Sequence, residues 1–273
     1  MPEGHTIHRH ARRQREVLAG QSIATGSPQG RFSAGAKRLD GRTLETIEAH
    51  GKHLFYRWQG AGTLHVHLGL FGKFRLYRSD PQPPSVNTRL TMEASGAIVY
   101  LAGPTVCELI TPAEEEAIRA RLGPDPLRNG SAGRKREQFS ANLARRRIPI
   151  GAALLDQRIV AGIGNVYRAE ALFRTGIDPH VPANELSADA SGALWSEAAR
   201  LLKAGEKAGR IITVDLADVD ARRRSDLGRD ERLYVYGRQG EPCRRCGTPV
   251  AITQMANRSL WWCPRCQPSG AGR

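Results

Sequence analysis

PIGAALLDQRIVAGIGNVYRAEALFRTGIDP, residues 149–179, sets two apolar segments on either side of Ala161-Gly162-Ile163-Gly164-Asn165. Gly162 and Gly164 permit a tight turn and a close backbone approach. Asn165 suits the N-cap of the helix predicted by VYRAEALFR. N–H groups at such a helix start bind anions, and the Asn165 amide can add a donor. These residues alone read either as a simple helical hairpin with a capping asparagine or as an anion clamp. Arg145, Arg146, Arg147, Arg158 and Arg168 lie around the segment and turn the reading toward a DNA backbone.

The bulk charge points the same way. Lys plus Arg is 41 against 27 Asp plus Glu, a formal net charge of +14 over 273 residues. That excess speaks of partners: nucleic acid, an anionic membrane surface or an acidic protein. No run approaches the ~18 apolar residues of a spanning helix. The first 20 residues carry His and Arg throughout and have no signal-peptide core. The five cysteines are therefore expected as thiols or metal ligands, not disulfides.

On the C-terminal side, Cys243-x-x-Cys246 is followed by Cys263-x-x-Cys266. Two such pairs predict a closed tetrahedral zinc site of the structural kind. A redox pair of motifs is the alternative, but no thioredoxin-like context supports it. So small a module cannot bury a core unaided, so the metal supplies most of its folding energy. Between the pairs, GTPVAITQMANRSLWW predicts two strands joined through Ala256-Asn257-Arg258-Ser259. Arg258 would sit at the tip, as a solvated turn residue or as a phosphate contact.

On the N-terminal side the punctuation changes. Residues 1–20 read as a helix stopped at Gly20. From about 22 to 110, short β-branched and aromatic segments alternate with Gly, Pro, Asn and Ser, the rhythm of a sandwich or barrel. Residues 112–123 predict a short helix with proline in its first turn. GPDPLRNGSAGRKR follows as a linker, which puts the domain boundary near 125–133. Helices are predicted over 134–147, 150–157, 165–175 and 187–208, a mobile loop over 210–232, and a frayed tail over 268–273. The fold class is α+β. Residues 1–126 form a β-sandwich domain with an N-terminal helix, 134–232 a helical domain, and 233–267 a β-hairpin zinc finger.

Single residues are ambiguous on local evidence. Lys52 follows Gly51 before an apolar strand and reads first as a solvated turn lysine. His65 and His67 share a strand face but lack a third metal ligand nearby. Cys107 has no neighbour that would lower its pKa, and reads as a buried strand residue.

Taken together, the pieces resemble the formamidopyrimidine-DNA glycosylase / endonuclease VIII family, with the actinobacterial-type endonuclease VIII branch nearer. The shared motifs are the PEG start, GKHLF, HLGLFGKF, LGPDPL, LLDQRIVAGIGNVYRAEALF, GIDP and NRSLWWCPRCQ. They run in order from residue 2 to residue 267. The resemblance implies a bifunctional glycosylase and AP lyase of base excision repair. It also implies an N-terminal β-sandwich and a helix–two-turn–helix domain that form a DNA cleft, with one structural Zn2+. The family's N-terminal proline nucleophile matches Pro2, so Met1 must be removed. Its glutamate acid matches Glu3, and its β-sandwich lysine matches Lys52. Its helix–two-turn–helix asparagine matches Asn165, its finger arginine Arg258, and a phosphate contact Arg121. Lys52 and Arg258 would hold phosphates beside the lesion. Leu70 and Phe71 would fill the gap left by the extruded base, and the 210–232 loop would cover that base.

Two departures bear on the substrate. The second glutamate carried by many relatives is missing from Glu3-Gly4-His5-Thr6. The Asp-Pro-Arg-Arg-Phe-Gly segment of the formamidopyrimidine branch corresponds here to YLAGPTVCEL, without its arginines. Oxidised pyrimidines or abasic sites are expected over oxidised guanine opposite cytosine. The partner expected is damaged double-stranded DNA, met by a monomer in the bacterial cytoplasm and nucleoid, with no membrane involved. A non-catalytic zinc-dependent DNA- or RNA-binding protein is the alternative, separated only by Pro2, Glu3 and Lys52.

Overall fold

The computed structural model describes residues 2–273; Met1, and with it the expected processing of the chain start, lies outside them. The chain divides into two compact units, one running to Arg121 and the other from Leu122 to Arg273. Among the described residues no helix is long and apolar enough to cross a membrane.

The first unit begins with helix α1 (Gly4–Leu18), which buries Ile7, Ala11, Gln14 and Leu18 at three- and four-residue spacings on one face. Eight antiparallel strands follow: β1 (Ser22–Gly26), β2 (Arg42–His50), β3 (His53–Trp58), β4 (Gly62–His67), β5 (Lys73–Tyr77), β6 (Thr88–Ala94), β7 (Ala97–Ala102) and β8 (Val106–Ile110). Their order is β5-β7-β6-β1-β2-β3-β4-β8. Strand β1 pairs with β2 through Ser22 and Ile23 and with β6 through Ala24 to Gly26. It therefore belongs to both halves of the sheet. One core joins those halves: Leu54, Tyr56, Leu64 and Val66 from one, Leu90, Met92, Val99 and Leu101 from the other, with Ile7 and Leu18 of α1. The sheet thus folds over on itself as a sandwich. Each fully buried Leu or Phe contributes roughly 2 kcal/mol.

Helix α2 (Ser33–Leu39) lies inside the region expected to be all β. Phe32, Ala36 and Leu39 are its signal, buried at helical spacing amid the small residues of the segment. Helix α3 (Pro112–Ala120) starts with a capping box between Thr111 and Glu114 and with Pro112 in its first turn. Glu115 ties α3 to the sheet. Its carboxylate accepts hydrogen bonds from Arg57 (2.7 Å), Thr63 (2.8 Å) and Arg119 (2.8 Å).

In the second unit, the stretch expected as a linker, residues 123–136, is packed at its start and helical from Ala132. Gly123 N–H donates to Gln157 O, and Ala161 N–H to Pro124 O. A Cβ on Gly123 would lie 2.6 Å from the Ile159 carbonyl carbon, so only glycine fits there. Helices α4 (Ala132–Ala144), α5 (Ile150–Ala153), α6 (Asn165–Thr175) and α7 (Ala188–Ala208) pack around Phe139, Leu154, Ile163, Tyr167, Leu172, Trp195 and Leu202. The helix expected over 150–157 is one turn. Asp156 turns its carboxylate to the Arg158 backbone N–H at 2.9 Å and closes a turn where the helix would have run on. Residues 210–232 contain only two short 3-10 turns, yet Ile212, Val214 and Leu227 are buried. The tail is held rather than frayed. Asp178 N–H donates to Ala271 O, Ser187 N–H to Gly272 O, and Gly270 N–H to the Asp178 carboxylate.

Candidate active site and nucleic-acid interface

In the first unit, Glu3 is the N-cap of α1, and its carbonyl accepts from Thr6 and Ile7 N–H. Its side chain makes no capping hydrogen bond and is fully buried, directly after half-buried Pro2. A carboxylate at a helix N-terminus lies in a favourable dipole field. His5 follows, with Nε2 3.1 Å from Thr6 Oγ1. Burial foremost pulls the His5 imidazole down to about 4, so the ring is neutral at pH 7.

Lys52 sits at the turn of the β2–β3 hairpin, between paired His50 and His53, with Gly51 at φ +57°. Beside it lie stacked imidazoles. His53 Nδ1 is 2.9 Å from His65 Nε2, and His65 Nδ1 is 3.2 Å from Glu108 Oε1. The His53 ring lies 5.1 Å from that of His65 and 4.9 Å from that of His67. Burial first, and then the neighbouring His67, His65, His50 and Arg121, pull His53 down to about 3. His67 is lowered by burial and next by the charge of Lys52. These rings form a neutral, hydrogen-bonded floor beside a cation. Cys107 is an ordinary strand thiol, pushed up to about 12 by burial.

Leu70 and Phe71 project from the β4–β5 turn with 50% and 85% of their surfaces exposed. The turn is locked below them. Gly72 N–H donates to Leu68 O, and a Cβ on Gly69 would lie 1.8 Å from Thr105 Oγ1. Arg121 is exposed at the end of α3.

In the second unit, Asn165 is not the N-cap of α6. Gly164 takes that position, and Asn165 is the first helical residue. Its amide instead donates from Nδ2 to Ser259 O at 3.0 Å and accepts at Oδ1 from Arg168 Nη2 at 2.5 Å. Arg168 is fully buried and so is not a DNA contact. Its guanidinium donates to Ser259 O (2.9 Å), Met255 O (3.3 Å) and Gly151 O (3.3 Å). Both side chains grip the hairpin of β9 (Ala251–Met255) and β10 (Arg258–Trp262). That hairpin turns on Ala256 and Asn257 alone, at φ +53° and +57°. Arg258 is therefore the first residue of β10, paired with Met255, and not at the tip. Its side chain is exposed.

Sequence reasoning missed Glu170. Its fully buried carboxylate accepts from the backbone N–H groups of Tyr234, Val235 and Tyr236, each at 2.9 Å, and from the Thr213 hydroxyl. The signal was a carboxylate on a helix whose other buried positions are mostly apolar.

Cys243, Cys246, Cys263 and Cys266 bring their sulfurs within 4.8 Å of one another. The Cys243–Cys266 separation is 3.8 Å and the Cys246–Cys263 separation 3.4 Å. A tetrahedral zinc with bonds of about 2.3 Å sets its sulfurs roughly 3.8 Å apart. The four thiols fit one structural Zn2+. Among the described residues they are the one group arranged for a metal, and the histidines beside Lys52 are not.

Comparison with known proteins decides the family. Residues 1–104 match the formamidopyrimidine-DNA glycosylase N-terminal domain, 122–215 its H2TH domain, and 240–268 the zinc finger found in FPG and IleRS. Endonuclease 8 1 of Mycobacterium tuberculosis H37Rv is 41% identical over 98% of this chain and 100% of its own. The chain belongs to the formamidopyrimidine-DNA glycosylase / endonuclease VIII family. Formamidopyrimidine-DNA glycosylase of Desulfitobacterium hafniense Y51 is 34% identical, over 98% of each chain. The Lactococcus lactis Fpg solved with abasic-site-containing DNA has a TM-score of 0.77 and 26% identity, covering 98% of this chain and 100% of that one. Family members are DNA glycosylases with AP lyase activity, and this chain is a base-excision-repair enzyme of that kind. The β7–β8 connection of this chain is Gly103-Pro104-Thr105, with no cationic side chain.

Proposed function

We propose that Pro2, exposed as the chain start by removal of Met1, is the nucleophile of a glycosylase and AP lyase directed at oxidised pyrimidines in duplex DNA. An α-amine titrates near 8, so about a tenth is free base at pH 7. It attacks C1′ of the damaged nucleotide, the bond from C1′ to the base breaks, and the proton the amine loses passes to the departing base. Glu3 gives a proton to O4′ as the sugar ring opens, leaving a secondary-amine iminium with a fixed positive charge. The iminium draws electrons from the C2′–H bond. Loss of that proton expels the 3′ phosphate, and a second elimination expels the 5′ phosphate, leaving a one-nucleotide gap.

Lys52, Arg258 and Arg121 hold phosphates, Asn165 does so with the amide hydrogen that Ser259 O does not take, and Leu70 and Phe71 enter the stack where the base has left it. The 210–232 segment covers the extruded base. The enzyme works as a monomer in the bacterial cytoplasm and nucleoid. Glu3 is the observation that carries this reading: a buried carboxylate at a helix start, one residue from the proposed amine. The preference for pyrimidines is supported by the 41% identity to an endonuclease 8 and by the short β7–β8 connection.

Borohydride trapping on an abasic-site duplex tests the chemistry. Processed wild-type protein is expected to form a covalent adduct, and Pro2→Gly to form much less. Glu3→Gln is expected to excise bases poorly while still binding DNA. Failure of processed wild type to trap, or normal excision by Glu3→Gln, would overturn these roles. A panel of duplexes, each with one lesion, tests the substrate; faster excision of oxidised guanine opposite cytosine than of any oxidised pyrimidine would reverse the preference.

A further inference from the structure

Two arginines stand inside the first zinc knuckle, Arg244 and Arg245, between the ligands Cys243 and Cys246. In a chain of net charge +14 such residues invite a phosphate-binding role. Their partners point elsewhere. Arg244 donates from Nε to Leu233 O at 3.0 Å and from Nη2 to Asp230 O at 2.7 Å. Arg245 lies over the Tyr234 ring at 4.8 Å and the Phe173 ring at 5.1 Å. Its Nε is 3.4 Å from Asp218 Oδ2 and its Nη2 3.7 Å from Asp215 Oδ2. One arginine therefore holds the exit of the 215–233 segment and the other its entry.

The rest of the wiring converges on the same ends. Tyr234 donates its hydroxyl to Asp218 Oδ2 at 2.6 Å and accepts from Asp215 N–H at 2.9 Å. Arg174 reaches Asp215 at 3.1 Å. Between these anchors Arg222 to Asp226 are exposed. The knuckle backbone that carries both arginines is shaped by its sulfurs, which the metal draws together.

We infer that Arg244 and Arg245 are positioning residues that couple zinc binding to the conformation of the 215–233 segment, and through it to base excision. This rests on the reading of that segment as the cover of the extruded base. An abasic site presents no base to cover. The coupling therefore acts on excision and spares strand cleavage at a preformed abasic site.

The test compares wild type with an Arg244→Ala/Arg245→Ala double variant, each checked for one zinc per chain. Hydrogen exchange of residues 215–233 is expected to accelerate in the variant while the first unit is unchanged. Single-turnover excision of an oxidised pyrimidine is expected to fall about tenfold or more, as for the loss of one or two charge-assisted hydrogen bonds. Cleavage of an abasic duplex stays within about twofold. Chelating zinc from wild type is expected to release the same 215–233 peptides. The inference is overturned if exchange is unaltered, or if excision and abasic cleavage fall together with DNA affinity, which would make the arginines DNA contacts. Arg245→Lys, which keeps charge but loses the planar stacking and fork, is expected to show the same split in weaker form, and equal loss of both activities there counts against the inference. Replacing residues 222–226 with Gly and Ser tests the underlying reading. Undiminished excision in that variant removes the cover itself, whereas lost excision there with normal excision in the arginine variant removes only the coupling.

Discussion

Lys52 and Arg258 are both cations set at or beside the turn of an antiparallel hairpin, yet their hairpins are held in different ways. The β2–β3 hairpin is central in an eight-stranded sheet and buries Leu44, Ile47, Leu54 and Tyr56 in the core. The β9–β10 hairpin is a two-stranded sheet. An isolated pair of that kind is marginal at best in water. Four cysteines and two buried polar side chains of α6 stand in for the missing strands. Hydrophobic burial places one cation; metal ligation and satisfied carbonyls place the other. The second arrangement can therefore be undone chemically while the first survives.

Zinc removal should break the comparison most sharply. Structural zinc contributes on the order of 10 kcal/mol to small modules. Chelation is expected to collapse hydrogen-exchange protection over 240–268 and abolish tight DNA binding, while β2 and β3 keep theirs. Equal loss of protection in both hairpins would show that the first also depends on the metal. Next in size is Arg168→Leu, which strips donors from the carbonyls of Ser259, Met255 and Gly151. A loss of about 3 kcal/mol is expected in denaturant unfolding, with zinc retained and Lys52 undisturbed. A change below about 0.5 kcal/mol would mean that the metal alone holds the hairpin.

How much of this was legible beforehand follows the same divide. The cysteine ligands and the helix of 165–175 are written locally, in fixed spacings that the chain must obey wherever it folds. Glu3 and Lys52 are named only by the family resemblance; locally they are a residue at a helix start and a turn lysine, and their roles stay part of the proposal. The partners of Asn165, Arg168 and Glu170 were not legible. Apart from Gly151 O, the main-chain groups their side chains reach lie 64 to 94 residues away, and a backbone carbonyl or N–H leaves no mark in a sequence. Arg168 belongs to the cluster of basic residues that points toward DNA, and it fails that expectation because three carbonyls make its burial tolerable. The finger turns on two residues where four are expected, because neither Ala256 nor Asn257 is the glycine that marks such a turn in a sequence.

Acid should act on the first hairpin in a way that one variant can isolate. His53 is held neutral down to about 3, against 6.5 when unfolded, by burial first and then by His67, His65, His50 and Arg121. Below pH 6.5 the unfolded chain takes up a proton that the folded hairpin refuses. Stability is therefore intact above about 6.5 and is lost progressively as pH falls from there toward 3. For this ring alone the loss is roughly 2 kcal/mol at pH 5. His53→Gln is expected to flatten the dependence of Tm on pH between 7 and 5 relative to wild type. Acid protonation of the zinc ligands is common to both proteins and cancels in the difference. Parallel profiles would place the proton-sensitive group elsewhere.

The smallest effect concerns the turns themselves, where the two hairpins should respond with opposite signs. Gly51 already supplies the left-handed residue beside Lys52, at φ +57°. The finger asks the same of Ala256, at φ +53°, where a Cβ costs roughly 1 kcal/mol or more. Glycine there relieves that strain but adds freedom to the unfolded chain, so the net gain from Ala256→Gly is about 0.5 kcal/mol. Gly51→Ala introduces the same Cβ into the other turn and is expected to cost about 1 kcal/mol. Denaturant unfolding of both variants with zinc bound measures the pair. If Ala256→Gly destabilised the protein as Gly51→Ala does, the finger turn would depend on its alanine side chain, and its strain would not be the price of holding Arg258 in register with Met255.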